Sequence, residues 1–335
     1  MKIKNILIIG AGWYGCHIGL YLKQQGHDIK IFEKDSDIFL GSSGSNQFRL
    51  HTGYHYPRSS ETISETKKNF LRFKKIYKNF IYFPKNNIYC IAKDKSLIDS
   101  GTYSAVLKAQ KLRIINKNFN FLKNVENSFI SNEGILLNGK IKKFYKKILN
   151  KNIFYNKKIF ITEKLKDQYD LIIDCSNTLL KNHLTKNYNY VLTISLVYRK
   201  KKNSVINPIT IMDGKLPSLY PYADKKDLYT LTHSKFTHIK KFKNFDLLKS
   251  YKKNIKKNYI LKIKRGMEKD MVNYFPKFKK LLSYKGYFLS YKVLPINNSA
   301  KRSIIFSKDK NIISCTSPKI TNIFSFQDYI SKLIK

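Results

Sequence analysis

Ile3-Lys4-Asn5-Ile6-Leu7-Ile8-Ile9-Gly10-Ala11-Gly12-Trp13-Tyr14-Gly15 is the stretch on which the fold turns. Its apolar, β-rich run stops at Gly10, as a strand buried on both faces does. Residues 13–25 then read as a helix ending at Gly26, a glycine suited to a helix C-terminus. Ile29-Lys30-Ile31-Phe32 follow as a second short strand, closed by Glu33. The result is one βαβ unit in about thirty residues. Within it Gly10 permits a tight turn and Gly12 lets backbone approach a pyrophosphate at the positive end of the helix. Gly15 lets helix and strand pack closely. Glu33 stands where a carboxylate accepts hydrogen bonds from a ribose diol, and an acid there repels a 2′-phosphate. Strand, glycines, helix, strand and acid together predict a dinucleotide site rather than a purely structural turn.

Outward from that unit the pattern changes. A nicotinamide dehydrogenase usually continues with further alternating strands and helices. Here Gly41-Ser42-Ser43-Gly44-Ser45-Asn46 leads into an aromatic and cationic segment from Arg49 to Arg58. A helix over about 61–80 follows, with Phe70, Phe73, Ile76, Tyr77 and Phe80 at helical spacing, which reads as a core stripe. The pattern predicts a strand at 88–93, helices at 95–110 and 139–149, and strands at 158–162 and 170–174. Residues 189–234 alternate between Pro and Asp-Gly breaks, which predicts an antiparallel sheet. Lysine-rich helices fill about 245–282, strands run to about 315, and an amphipathic helix spans 322–334. Parallel-type strands at both flanks therefore predict an α/β chain. A Rossmann-like domain of parallel strands (1–80, 135–186, 300–335) is interrupted by a mostly antiparallel α+β substrate domain (81–134, 187–299).

The fingerprint and the loop after it resemble the FAD-dependent oxidoreductases of the D-amino-acid oxidase and glycine oxidase type, including L-2-hydroxyglutarate dehydrogenase-like members. The resemblance is carried by Gly10, Gly12 and Gly15 and by Asn46-x-x-Arg49-x-His51-x-Gly53-x-His55-Tyr56. Tyr169 to Asn177 and Ser317-Pro318-Lys319-Ile320-Thr321 extend it, although many relatives have glycine where Ser317-Pro318 stands. It implies bound FAD, with Trp13 and Tyr14 beside the glycines and Lys34 after Glu33. It places Ser42, Ser43 and Asn46 along the flavin, Cys175 and Ser176 at a second strand end, and Lys319 and Thr321 on the pyrimidine side. Arg302 is carried over as a holder of substrate carboxylate.

Two Arg, two His and two Tyr crowd into residues 49–58. Arg49 has the charge and fork for a carboxylate or phosphate, and His51 or His55 can hold a proton near neutral pH. These three are the catalytic candidates, with Tyr54 as a substrate contact beside Arg49. The competing reading is a loop whose imidazoles and phenols merely satisfy backbone groups. Tyr220, Tyr222 and His233 form a second candidate cluster, for the substrate wall or for core packing. The chemistry implied by the resemblance is hydride loss to flavin from a carbon bearing nitrogen or oxygen on a small, polar, anionic molecule. The alternatives are a non-oxidative flavoenzyme such as a sugar-nucleotide mutase, or a basic nucleic-acid or membrane-surface binding protein.

Formal charge is +43, from 65 basic and 22 acidic residues, which suggests a nucleic-acid or anionic-membrane binder. Only seven of the basic residues are Arg, whereas base readers and phosphate clamps favour its planar fork. Abundant Lys, Asn, Ile, Tyr and Phe beside six Ala point instead to codon bias and a solvated lysine surface. No specific nucleic acid is expected. Cys16, Cys90, Cys175 and Cys315 are too far apart in sequence for a zinc motif or disulfide framework. No metal is expected, and the simplest reading is buried thiols in a cytoplasmic protein. No run approaches the length of a membrane span. Bulky Trp13 and Tyr14 argue against a cleavable signal at the apolar start. The sequence sets no oligomeric state.

Overall fold

The computed structural model describes residues 2–177, 188–222, 224–296, 304–317 and 319–334. The chain forms two compact units, one of residues 1–45, 139–190 and 292–335, the other of 46–138 and 191–291. Its elements begin β1 (Asn5–Ile9), α1 (Trp13–Gln24), β2 (Asp28–Phe32), β3 (Arg49–Leu50), α2 (Ser60–Tyr77), β4 (Ile81–Tyr82) and β5 (Asn87–Ala92). They continue α3 (Ser100–Ala109), β6 (Val125–Ser131), β7 (Gly134–Leu136), α4 (Asn138–Ile148), β8 (Ile153–Phe154), α5 (Glu163–Asp167) and β9 (Leu171–Asp174). Next come β10 (Tyr188–Lys200), β11 (Ile209–Met212), β12 (Pro217–Pro221), β13 (Leu228–His233) and β14 (His238–Phe242). The chain closes with α6 (Phe245–Lys253), α7 (Lys257–Tyr274), α8 (Phe278–Leu281), β15 (Leu282–Pro295), β16 (Ile305–Asp309), β17 (Ile312–Thr316) and α9 (Ile323–Ile334).

Among the described residues the first unit is built on a six-stranded sheet in the order β16-β17-β9-β1-β2-β8. All neighbours are parallel except the edge strand β16. β1 lies between β2 and β9, with Ile6 opposite both Ile29 and Leu171. That central place accounts for its unbroken apolar run, because Ile6, Leu7 and Ile8 are fully buried. Helix α1 packs on β1, β2 and α9. Leu7, Ile9, Ile172 and Ile312 form a cluster against Ile159, Ile161 and Leu165. Residues 158–162, expected as a strand, form none. Ile159 and Ile161 do alternate inward, but the place beside β2 is taken by β8, so the segment lies over the sheet rather than in it.

The second unit holds strands in the order β14-β10-β13-β12-β11-β5-β6, with β15 also paired to β10, and a small sheet β3-β7-β4. Strand β5 runs parallel to β11, while the pairs β5–β6, β11–β12, β12–β13 and β10–β13 are antiparallel. Register gives the main sheet two unlike faces. Leu231, Leu219, Ile209 and Ile88 stand opposite one another in one row across four strands. They bury against Ile260, Ile263, Met267 and Met271 of α7. The neighbouring row is Thr232, Ser218, Thr210 and Tyr89, and because side chains alternate it belongs to the opposite face. Toward β6 that second face is covered by apolar groups, where Ile91, Met212 and Phe129 pack with Ile63, Tyr103 and Leu107.

Residues 46–80, expected within the nucleotide-binding part, lie in the second unit. β3 hydrogen-bonds to β7, and Ile63 of α2 is buried with Tyr89 and Tyr103, which ties the segment there.

Candidate active site

The glycine fingerprint occupies the C-terminal end of β1. Gly10 has φ +96°, open to glycine and strained for other residues. A Cβ on Gly15 would lie 1.8 Å from the Gly10 carbonyl oxygen, and one on Gly12 would lie 2.9 Å from Ser43 Oγ. Helix α1 begins at Gly12 with no side-chain cap and no acid in its first turn, so its positive end is left for an anion. Ser43 Oγ accepts the Trp13 N–H at 3.0 Å, which holds the Gly/Ser loop against this end. Glu33 is buried; its carboxylate accepts the N–H groups of Ala11 at 2.7 Å and Asp35 at 3.0 Å. Each oxygen keeps a lone pair for a ribose hydroxyl. Cys175 follows β9, and its carbonyl oxygen would lie 3.2 Å from a Cβ on Gly10. Ser176 N–H is taken by Asp174 at 2.8 Å. The Tyr14 hydroxyl donates to the Lys319 carbonyl at 2.7 Å, bringing the C-terminal segment to the first helical turn. Thr321 is buried in the short helical turn after Lys319. Trp13 is stacked on Phe39 with ring centres 5.3 Å apart, a packing role, and Lys34 pairs at the surface with Asp35. Backbone donors at a helix start, serine hydroxyls and a ribose carboxylate are the donor and acceptor set that an adenine dinucleotide needs. These residues fit FAD.

The second unit holds a buried ionic cluster. Pairing of Leu50 with Gly134 sets residues 49–52 beside Glu133, the residue just before β7. Glu133 is 1% exposed; Oε1 accepts the Thr52 N–H at 2.9 Å, and Oε2 lies 3.0 Å from His51 Nδ1 and 3.9 Å from Arg49 Nη2. Arg49 Nη2 donates to the Tyr89 hydroxyl at 2.6 Å. Its guanidinium lies over the Tyr220 ring, 4.1 Å from the centre. Tyr220 donates to Asn87 Oδ1 at 2.7 Å, while Asn87 Nδ2 donates to the Glu133 carbonyl at 3.0 Å. Burial alone would raise the Glu133 carboxyl, but His51, Arg49 and the Tyr89 hydroxyl outweigh it and hold it at about 2. Burial opposes the charge on Arg49; Tyr220, Tyr89 and Glu133 restore it and raise its pKa above the ordinary value. Among the described residues no acceptor reaches the buried Arg49 Nε.

Of the predicted residues, Arg49, His51, His55 and Tyr220 come together, with His55 stacked on His51 at 5.1 Å. Tyr222 lies sandwiched between Phe48 and Phe288. Asn46 accepts the Phe48 N–H at 2.5 Å and shapes the approach to Arg49. Two expected substrate contacts belong elsewhere. Tyr54 is fully buried, donates to the Arg113 carbonyl at 2.5 Å, and is pushed up to about 12 chiefly by burial, so it is a core residue. His233 shares the face of Leu231, opposite to that of Tyr220, and meets Asp270 of α7 at 3.0 Å. Burial lowers its pKa. Arg302 lies outside the described residues. Sequence reasoning missed Glu133, Tyr89 and Asn87. An acid between two β-rich runs, in a chain so poor in acids, was the available signal.

A nucleotide cradle at the C-terminal ends of parallel strands and a second unit with a buried Arg–Glu–His cluster define a dinucleotide-dependent enzyme. Residues 5–117 match the family model described as FAD dependent oxidoreductase. An FAD-dependent monooxygenase of Fusarium mangiferae is 27% identical over 98% of this chain and 90% of its own. L-alpha-glycerophosphate oxidase from Mycoplasma pneumoniae, solved with FAD bound, superposes with TM-score 0.68 at 13% identity, over 97% of this chain and 93% of its own. Glycine oxidase from Geobacillus kaustophilus superposes with TM-score 0.68 at 9% identity, over 96% and 91%. Over residues 5–117 the chain is thus similar to the FAD-dependent oxidoreductases of the D-amino-acid oxidase type, and over nearly its whole length to FAD-dependent monooxygenases. Among its described residues no helix is long and apolar enough to cross a membrane.

Proposed function

We propose that this FAD-dependent oxidoreductase removes hydride from a carbon bearing an amine or hydroxyl on a small anionic molecule, and that Arg49 is the partner of the anion. The observation that carries this reading is the Arg49 guanidinium, spread over Tyr220 and pinned by Tyr89, whose buried Nε has no acceptor among the described residues. A buried donor without a partner is costly unless a ligand supplies one. Glu133, held at about 2, is ionised at neutral pH and shared by Arg49 and His51. A substrate carboxylate or phosphate pairs with Arg49, and its charge is balanced once His51 has taken a proton. Glu133 holds Nδ1 and so fixes the His51 ring, the group that takes a proton from the substrate amine or hydroxyl. Tyr89 and Tyr220 keep water from the guanidinium. The chemistry a bound FAD supplies is acceptance of the hydride. Four free thiols fit a reducing, cytoplasmic compartment.

Anaerobic mixing with single small anions tests the reading. An anionic amine or hydroxy compound is expected to bleach the flavin without a nicotinamide, and Arg49→Ala to raise its KM by at least about thirtyfold. Equal reduction by neutral analogues overturns it. Monooxygenation is the second reading, favoured by the near-full-length match to a fungal protein of that name. Bleaching by a reduced nicotinamide alone, with labelled oxygen entering the product, would establish it.

A further inference from the structure

Resting on the reading of Arg49 as anion partner, we infer that the substrate is polyhydroxylated, a sugar acid or sugar amine rather than an aliphatic amino or hydroxy acid. The inference starts from the row Thr232–Ser218–Thr210–Tyr89, four hydroxyls side by side on four adjacent strands. Thr230 and Tyr220 form the next pair on the same face. This is the face over which the Arg49 guanidinium lies, at 4.1 Å from Tyr220 and bonded to Tyr89. The corresponding row on the other face, Leu231–Leu219–Ile209–Ile88, is wholly aliphatic, so in these two rows the hydroxyls fall on the face where Arg49 is.

Part of this polar surface is used internally. Thr210 Oγ1 donates to the Tyr220 hydroxyl at 3.1 Å, and Thr230 Oγ1 to the Tyr220 carbonyl at 3.4 Å. Those bonds hold Tyr220 under Arg49. Gln47 Nε2 reaches the carbonyls of Ser218 at 3.3 Å and Thr230 at 3.2 Å, which lays the amide of Gln47 over the same strands. Ser218, Thr232 and the Gln47 carbonyl oxygen are then the groups that meet the substrate chain beyond the anion. An aliphatic chain there would strand these polar groups; a chain bearing hydroxyls would satisfy them. The buried Arg49 Nε, which has no acceptor among the described residues, is the sign that a ligand completes this face.

Matched probes test it on the enzyme as purified with its flavin. Gluconate and α-hydroxycaproate share carbon number and charge and differ in hydroxyls, as do glucosaminate and norleucine. Binding is read from the shift in flavin absorption, and turnover from anaerobic bleaching. The expected result is that within at least one pair the hydroxylated member binds about tenfold or more tightly. Ser218→Ala and Thr232→Val should each pull that ratio toward one. Flavin content and melting temperature verify folding, and if a variant fails to fold the wild-type ratio alone decides. Equal affinity within both pairs, with Arg49 still required, overturns the polyhydroxylated substrate and leaves the anion reading standing. Failure of every anion to bind or to bleach overturns both.

Discussion

The Tyr89 hydroxyl donates to Glu133 Oε2 across 2.5 Å. The same oxygen atom of Tyr89 accepts from Arg49 Nη2, so a neutral phenol links a buried cation to a buried anion whose charged atoms are 3.9 Å apart. Such an arrangement keeps both charges in place without collapsing them into a direct fork, and leaves the guanidinium able to face a ligand.

Glu133→Gln keeps the shape and removes the charge. Arg49 and His51 then lose their shared carboxylate, and about 3–5 kcal/mol of stability should go with it. Tyr89→Phe removes only the linking hydroxyl and should cost about 1–2 kcal/mol. Urea unfolding of both variants measures the difference; a Glu133→Gln loss no larger than that of Tyr89→Phe would show that the carboxylate charge is not needed.

The acid limb follows from the same group. The Glu133 carboxyl is held at about 2, below its ordinary 4.5. A depressed carboxyl stabilises the fold fully above the unfolded value, and that contribution fades as pH falls through 4.5 toward 2. At roughly 1.4 kcal/mol per unit the loss amounts to about 3 kcal/mol. Unfolding free energies measured between pH 6 and 2.5 should fall less steeply in Glu133→Gln than in the wild type, and parallel curves would refute the assignment.

At the cradle, Gly12→Val should abolish FAD binding, since its Cβ already comes within 2.9 Å of Ser43 Oγ and its branches fill the approach to the helix start. Adding Ser43→Ala relieves the contact with the hydroxyl and should recover melting temperature but not flavin. Yellow protein from either variant would sink the placement of the pyrophosphate.

His233 and Tyr54 are assigned to packing. His233→Gln and Tyr54→Phe should lower the melting temperature, each losing roughly 1–2 kcal/mol of stability with its buried hydrogen bond. The rate of flavin reduction should stay within about twofold of the wild type. A large fall in that rate with unchanged melting would return either residue to the site.

The lysine surface should bind duplex DNA only as a polyelectrolyte does. Any affinity at low salt is expected to collapse by physiological salt, without sequence preference. Tight, sequence-selective binding at physiological salt in a mobility-shift series would contradict it.

The first βαβ unit was legible because each local signal agreed: an apolar run, glycines that the turn requires, a helix of the right length and an acid at the second strand end. Arg49, His51 and His55 stood out by rarity and crowding. Glu133 did not, because Asn132-Glu133-Gly134 reads as an ordinary turn, and only the pairing of Leu50 with Gly134 brings it to Arg49. His233 was misplaced for a related reason. Its neighbours Thr230 and Thr232 share the face of Tyr220, but the odd-numbered residues of β13 face α7, and the side of the sheet to which each set turns is a tertiary fact. Ile159 and Ile161 show the limit of alternation itself, which marks burial on one side without supplying a partner strand.

The two unlike rows of the main sheet also act as a proofreading device during folding. Shifting β12 or β13 by a single residue would turn Leu219 or Leu231 out to the polar face and push Ser218 or Thr232 beneath α7. Such a register isomer would lose aliphatic packing and bury hydroxyls in the same step. A strand that misplaces Tyr220 and its polar neighbours is thereby also wrong for the core, so a stably folded population with a mispaired polar face is disfavoured by the core that supports it.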